Sequence, residues 1–489
     1  MQSAKTFELN TLRENRELVI IGAGPAGMSA AIAASASGVD VVVLDQRQTP
    51  GGQIYRNIEA ANLDVASSLG TDYLQGANLV KQFHESTAEY RPDTIVWEIS
   101  TGLEVYVSGG SGARIIQAQR VIIATGALER PFPIPGWTLP GVMAAGAAQS
   151  LLKQDGLLPE GPVVLAGTGP LILLLACQYL DMGVNIAAIL ETTPPSNRIR
   201  ALAHLPQAIT AGKYLWKGAT MLKRLKRHRV RHIQGVEALR ALGEDRLRQV
   251  EFRVGSSEQR LDTSLLLLHQ GIVPDVNLTG ALGCAMDWDN QSLCFRPRLD
   301  ALGNSSVEGI AVVGDGAAII GSQSAIWAGK LAGLDAACRS KHIDQGQRDA
   351  QTQNARRALK RSLKIRPFLE TLYRPANTFR IPEQSETIVC RCEEVAAGSI
   401  RKQIARGAMD PNAIKSRLRC GMGPCQGRYC GLTVSEIIAA ETGKQMSEIG
   451  YYRLRPPVKP VPIGDILALA TGELPAEVKL PDPFKKKTL

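Results

Sequence analysis

The chain has 489 residues, 44% of them hydrophobic and 21% charged, with a formal net charge of +10. Such a length holds about three domains of ordinary size, and the composition excludes a disordered chain. Aromatic residues make up only 5%, and no nucleic-acid-binding motif accompanies the positive charge, which excludes that class.

Taken in order, the opening MQSAKTFELNTLRENRE is polar and lacks an apolar core or cleavage site, so no signal peptide is expected. The most apolar run, PVVLAGTGPLILLLAC, is broken by Gly and Pro and is too short to span a bilayer. The expected compartment is the cytoplasm. The basic balance suits a solvated surface, or docking on an acidic partner or at the inner face of the cell membrane. In the cytoplasm, clustered cysteines bind metal or do redox chemistry more often than they form structural disulfides.

Residues 17–45 predict a βαβ unit. ELVIIG reads as a strand, the Ala-rich Pro25–Ser37 as a helix, and VDVVVLD as a second buried strand. Between strand and helix lies Gly22-Ala-Gly24-Pro25-Ala26-Gly27. Gly22 permits the tight turn, Gly24 lets backbone approach a pyrophosphate, and Gly27 lets the helix pack close. The pyrophosphate then sits on the helix N-terminus. Asp45, closing the second strand, is placed to bond a ribose hydroxyl.

TPGGQIY is a turn, and residues 55–92 read as mostly helical. TIVWEI, LEVYV, RIIQA and RVIIATG, from 94 to 126, predict a β-meander. PFPIPGW is a Pro-rich hinge. A second strand–loop–helix follows at Gly167-Thr-Gly169-Pro-Leu-Ile172, where the third glycine is lost. Its helix, LILLLAC, is apolar on every side, as a buried helix is. Glu191 still ends the next strand. The basic stretch 223–229 suits a solvated helix end. GIAVVGDG, with Gly314 and Asp315, is a further strand end.

Five of the nine cysteines lie near the C-terminus: Cys390, Cys392, Cys420, Cys425 and Cys430. A 2Fe-2S cluster takes four thiolates, and so does structural zinc, the serious rival. Cys390 and Cys392 flank one residue, so a turn can aim both at one metal. Spacing alone leaves Cys420 open as a ligand. Arg391, Lys415, Arg417, Arg419 and Arg428 are close enough in sequence to offset cluster charge. No cysteine pair lies beside the TPGGQIY turn or elsewhere before residue 386, which excludes a disulfide relay there. The scattered Cys177, Cys284, Cys294 and Cys338 read as core, and no histidine is assigned a role.

Together IIGAGPAGMSAA, TPGGQIYR, IIATGALERPFPIPGWTLPGVM, VVLAGTGPLILL, VVGDGAA, IVCRCEEV and RCGMGPCQGRYCG resemble the α (A) subunits of multi-subunit opine oxidases, D-hydroxyproline dehydrogenases and hydrogen cyanide synthase. The resemblance implies an α/β, two-dinucleotide-binding-domain flavoprotein with a small, mostly helical 2Fe-2S domain like bacterioferritin-associated ferredoxin. It implies FAD held by the first loop, with Thr125, Gly126, Gly314 and Asp315 as further contacts. Asp315 would bond the ribityl chain, and Gly51-Gly52-Gln53 would lie near the isoalloxazine. It implies Cys390, Cys392, Cys425 and Cys430 as the cluster ligands. Its implied partners are a D-amino-acid-oxidase-type β subunit with its own FAD, a small ferredoxin-like γ subunit and a quinone or other respiratory acceptor; some relatives hold FMN at the α/β boundary. Ile172, and Leu175 where relatives using nicotinamide often carry an acid, argue against NAD(P)H use.

The expected boundaries are a FAD domain at 1–140 and 271–340, an inserted Rossmann domain at 141–270, a helical linker at 341–385, the 2Fe-2S domain at 386–445 and a Pro-rich basic tail at 446–489. The expected function is electron transfer, as one subunit of a heteromeric complex, for secondary-amine or imino-acid oxidation. A stand-alone NAD(P)H oxidoreductase and a non-catalytic scaffold are the competing expectations.

Overall fold

The computed structural model describes residues 12–61, 63–110 and 112–471. Residues 1–11 of the polar opening segment, and the last part of the tail, 472–489 with PFKKKTL, lie outside the described residues.

The strand Arg13–Ile21 pairs in parallel with Val41–Leu44, and the helix Pro25–Ser35 crosses between them. The sheet has seven strands. Six run in the spatial order 89–91, 41–44, 13–21, 112–123, 104–109 and 95–99; the seventh, Ile310–Val312, also pairs with 112–123. The expected meander differs in one respect: RIIQA and RVIIATG form a single strand, Gly112–Ile123. Its first half pairs antiparallel with Glu104–Gly109 and its second half parallel with Ile310–Val312. The polar residues midway do not break it, because Gln117 donates to the Gly102 carbonyl (2.9 Å) and Arg120 to Asn304 Oδ1 (2.9 Å). The segment expected to be mostly helical contains three short helices and then an edge strand, Glu89–Arg91, too short to show an alternating pattern.

Between Val142 and Gln270 lies a second unit, a parallel sheet ordered 232–234, 186–191, 163–168, 265–270 and 142–144. A three-stranded antiparallel sheet, 236–262, packs beside it. The chain enters and leaves this unit through two short antiparallel strands, Ala127–Glu129 and Ile272–Pro274. The hinge PFPIPGW is buried: Phe132, Ile134 and Trp137 pack with Phe252, Leu268 and Phe379. Trp137 Nε1 also donates to the Ile388 carbonyl (2.7 Å), and Arg391 lies over its ring.

The linker begins with the helix Gln345–Ser362, capped by Asp344 and Gln347 in a reciprocal box. It ends in the helix Asn377–Arg380, where Arg380 forms a buried ion pair with Glu436 of the cysteine module. That module has a small hairpin, Ile388–Cys390 with Val395–Ala396, and three helices, Ala397–Ala405, Pro411–Leu418 and Gly431–Thr442. Its core includes Ile449, Tyr452 and Leu454 beside Ile400, Ile414 and Val434. The packed module therefore runs past residue 445 into the segment expected to be tail. The Tyr452 ring fills the space that side chains at Gly421 and Gly427 would need.

The helices Pro25–Ser35 and Ser322–Arg339 press together at Gly329 and Gly333, where a Cβ would run into the carbonyls of Ala26 and Ala30. This contact seats the first nucleotide loop. Gly333→Val should cost about 1–3 kcal/mol by overpacking, read as a lower midpoint in thermal unfolding. An unchanged midpoint would show that the two helices can separate freely.

Candidate flavin and metal sites

The first glycine loop is tightly packed on one side and open on the other. Gly22 has φ +104°, and a Cβ there would lie 2.6 Å from the Ala124 carbonyl oxygen. A Cβ at Gly27 would run into the Gly22 carbonyl. Gly24 faces open space: the nearest heavy atom to a Cβ there is Gly52 Cα, at 3.9 Å. Pro25 and Ala26 open the helix. The Gly51 N–H donates to the Ala23 carbonyl (2.8 Å), which staples the TPGG turn onto the loop. Asp45 is buried and accepts from the Ala23 N–H (2.6 Å) and the Arg47 N–H (2.9 Å). Its carboxylate thus holds the loop in shape.

Thr125 and Gly126 follow the strand Gly112–Ile123, and Gly316 lies against both. Gly314 sits beside Ala26. Asp315 Oδ1 accepts from the N–H groups of Ile320 (2.8 Å) and Gly321 (3.0 Å), and burial pushes its carboxyl pKa up. Part of its role is therefore to close the loop before the helix Ser322–Arg339.

Sequence reasoning missed a cluster of cations around the turn. The Lys153 ammonium donates to the carbonyls of Gln53 and Ile54, both at 3.0 Å. Arg56 donates to Gln53 Oε1 (3.1 Å). Arg47 Nη1, Arg56 Nε and Thr125 Oγ1 are buried without a hydrogen-bond partner. Unpaired buried polar atoms are costly, and these three fit a phosphorylated, hydroxyl-rich ligand. Arg47 and Arg56 flank the motif and could have been noticed. Lys153 arrives from a helix a hundred residues on and left no local signal.

The second loop is built differently. Ile172 and Leu175 are buried in the core. At Gly169, a Cβ would meet the His269 ring, with Nε2 at 3.1 Å. His269 is itself buried and hydrogen-bonded through Nδ1 to Glu129. Glu191 is engaged by His232 (2.9 Å) and Arg198 (3.3 Å). The first loop presents an open glycine, whereas the second has an imidazole against its own.

Three of the five clustered cysteines, Cys390, Cys420 and Cys430, are buried with their sulfurs within 4.8 Å of one another. Cys392 is exposed, Cys425 is half-buried, and the two interact through their thiols. The resemblance-based ligand set thus falls into two pairs, and Cys420, left out of that set, stands with Cys390 and Cys430. The thiols of Cys420 and Cys430, and the N–H groups of Gly421 and Glu393, point at the Cys390 sulfur and hold its pKa far below the usual thiol range. The Tyr452 hydroxyl lies 3.8 Å from Cys430 Sγ.

Of the expected neighbouring cations, Arg428 comes closest to the role. Its Nε donates to Asp275 (3.2 Å), and its Nη1 to the carbonyls of Cys425 (3.2 Å) and Val458 (2.8 Å). Lys415 covers the Tyr452 ring. Arg391 stacks on Trp137, Arg419 pairs with Glu393, and Arg417 turns away to the Arg406 carbonyl. Asp275 is the residue that sequence reasoning missed entirely. Its N–H donates to the Gly126 carbonyl (3.0 Å), so Gly126, Asp275, Arg428 and Cys425 form one continuous bridge between the two sites.

The paired Rossmann units and the open first loop define a flavoprotein oxidoreductase. Residues 16–349 match the pyridine nucleotide-disulphide oxidoreductase family, which implies FAD, and residues 384–471 match the sarcosine oxidase A3 domain. The chain is 43% identical to the A subunit of opine oxidase from Rhizobium meliloti, covering 94% of this chain and 88% of that one. It is 30% identical to the HcnB subunit of hydrogen cyanide synthase from Pseudomonas aeruginosa, covering 94% and 99%. The chain belongs to the family of opine oxidase A subunits. The crystal structure of L-proline dehydrogenase from P. horikoshii has the same fold, with a TM-score of 0.68 at 21% identity over 93% of this chain and 80% of that one.

Two outcomes test this geometry. Asp275→Ala strands the Arg428 charge in a buried place and should cost about 3–5 kcal/mol in unfolding free energy; the further change Arg428→Met should recover part of that loss. Burial, with Arg56 and Arg47 nearby, lowers the Lys153 pKa from 10.5 to about 7. Between those values the unfolded chain holds a proton that the folded chain has released, so this residue makes stability rise with pH across the window. Denaturant unfolding of Lys153→Met should show a flatter rise than the parent, and an identical slope would contradict the assignment.

Proposed function

We propose that this chain is the FAD- and 2Fe-2S-bearing electron-transfer (α) subunit of a heteromeric dehydrogenase or oxidase acting on the C–N bond of a secondary amine or imino acid. Relatives named as opine oxidase subunits support an opine substrate, D-hydroxyproline being a similar candidate by chemistry, and their naming as subunits supports a multi-chain assembly. The substrate is assigned to a D-amino-acid-oxidase-like β partner, with a ferredoxin-like γ chain, FMN at the α/β boundary and a quinone or other respiratory acceptor completing the proposal.

One observation carries it: the cysteine sulfurs are split into two groups, and the loop of one group is bridged through Arg428 and Asp275 to the Gly126 strand end. A 2Fe-2S centre needs two thiolates on each iron, whereas zinc needs four around one point. Cys390 with Cys430, and Cys392 with Cys425, supply two pairs. Bound in these places, FAD handles electrons in pairs and a 2Fe-2S centre handles them singly.

The chain's residues do the rest. Asp45 and the TPGG turn hold the glycine loop open. Arg428 and Lys415 bring positive charge, which favours the reduced form of an anionic cluster. Tyr452 borders the buried Cys430 thiol, and Tyr451 donates to the Gly427 carbonyl of the same loop (3.2 Å). The His269 ring against Gly169 supports a chain that takes its electrons from a partner rather than from NAD(P)H.

This chain, purified anaerobically without its partners, should contain iron and acid-labile sulfide, about two of each. Zinc without sulfide would end the proposal. NADH should leave the flavin of the isolated chain oxidised, and rapid bleaching would instead favour a stand-alone NAD(P)H oxidoreductase.

A further inference from the structure

We propose that Cys420 is a reserve ligand of the iron–sulfur site, able to replace Cys430 or Cys390 but not Cys392 or Cys425. It rests on the 2Fe-2S reading above. The position of Cys420 is built by the backbone. The helix Pro411–Leu418 ends at Arg419 in the left-handed region (φ +59°), and Gly421 after it has φ +88°. Two reversals of the chain, one on each side, direct the side chain between them into the module core. There its sulfur lies within 4.8 Å of both Cys390 and Cys430.

A buried cysteine is ordinarily a small apolar filler, and the rest of this chain supplies examples. Cys177 Sγ reaches the Met221 carbonyl (3.9 Å), and Cys284 Sγ reaches the Ser305 hydroxyl (3.6 Å). Among the described residues, neither of these sulfurs is hydrogen-bonded to another thiol. Cys420 faces two, at the point where a pair of iron ligands is needed. The Cys392–Cys425 pair has no third sulfur in a mutual group of this kind among the described residues.

The chemistry balances without any redox partner. When Cys430 is replaced by Ala, the Cys420 thiol gives its proton to solvent and forms the Fe–S bond that Cys430 would have formed. Four thiolates still hold two irons, so the charge of the site is unchanged. The Tyr452 hydroxyl, 3.8 Å from Cys430 Sγ in the parent, borders both positions.

The test uses the full chain of this subunit without its proposed β and γ partners, prepared anaerobically as wild type and as Cys420→Ala, Cys430→Ala, Cys390→Ala, Cys425→Ala and the double variant Cys420→Ala/Cys430→Ala. Iron, sulfide and the EPR signal of the reduced protein are measured per flavin, so that flavin content reports folding. Cys420→Ala should match wild type. Cys430→Ala should keep about half or more of the iron and sulfide with shifted g values, since ligand geometry tunes the centre, and the double variant should lose nearly all of both. Cys390→Ala gives a second reading of the same rescue if Cys430→Ala misfolds. Cys425→Ala should be empty although Cys420 is intact.

Cys430→Ala and Cys390→Ala as empty as the double variant, beside a full wild type, would overturn the inference. So would loss of the cluster in Cys420→Ala alone, which would make Cys420 a primary ligand. Wild type lacking iron and sulfide would instead sink the 2Fe-2S reading itself.

Discussion

Arg428 lies in the cysteine-rich loop, yet two of its three side-chain hydrogen bonds go outside that loop. It binds the Asp275 carboxylate, the Val458 carbonyl and the carbonyl of its own loop at Cys425. Both charged groups are largely buried, where a charge without its partner is severely destabilising. Asp275 in turn hangs on the Gly126 carbonyl through its own N–H. The pair therefore does more than fasten one module to another. It fixes the cysteine site against the strand end that carries Thr125 and Gly126, and the proposed traffic between a two-electron and a one-electron centre depends on that closeness.

Further contacts hold the same arrangement. Asn277 donates to the Gln426 carbonyl (3.0 Å), two residues on from Asp275. The buried Arg380–Glu436 pair ties the linker to the helix behind Cys430. Trp137, in the hinge between the Rossmann units, donates to the strand that leads into Cys390. The cysteine module is thus gripped from the first nucleotide unit, the hinge and the linker. A module held only by a flexible tether would not keep a constant distance to the flavin-type loop.

The geometry of the first glycine loop was largely legible because its logic is local. Gly22, Gly24, Gly27 and Asp45 fall within one βαβ unit, so spacing alone places them. The loss of the third glycine at Ile172 was legible for the same reason. What spacing could not show was contact across long separations. Lys153 reaches Gln53 from a separate helix, His269 reaches Gly169 from a neighbouring strand, and Asp275 meets Arg428 only after the chain has closed. Cys420 is the clearest case. Its separation from Cys425 matched that of a ligand no better than that of a bystander, and only the turns at Arg419 and Gly421 aim it at Cys390. Tyr451 and Tyr452 were hidden by a boundary drawn at residue 445, since a Pro-rich segment after a helix looks like tail.

The central claim is that the flavin-type loop and the cysteine site form one electron route. It is tested most directly by adding the amine substrate anaerobically to the assembled complex while following dye reduction and the EPR signal of the cysteine site together. In the parent complex the signal should appear on the timescale of turnover. In Cys392→Ser both the signal and dye reduction should be lost, with flavin content retained. Dye reduction continuing at the parent rate after the signal has gone would contradict the account.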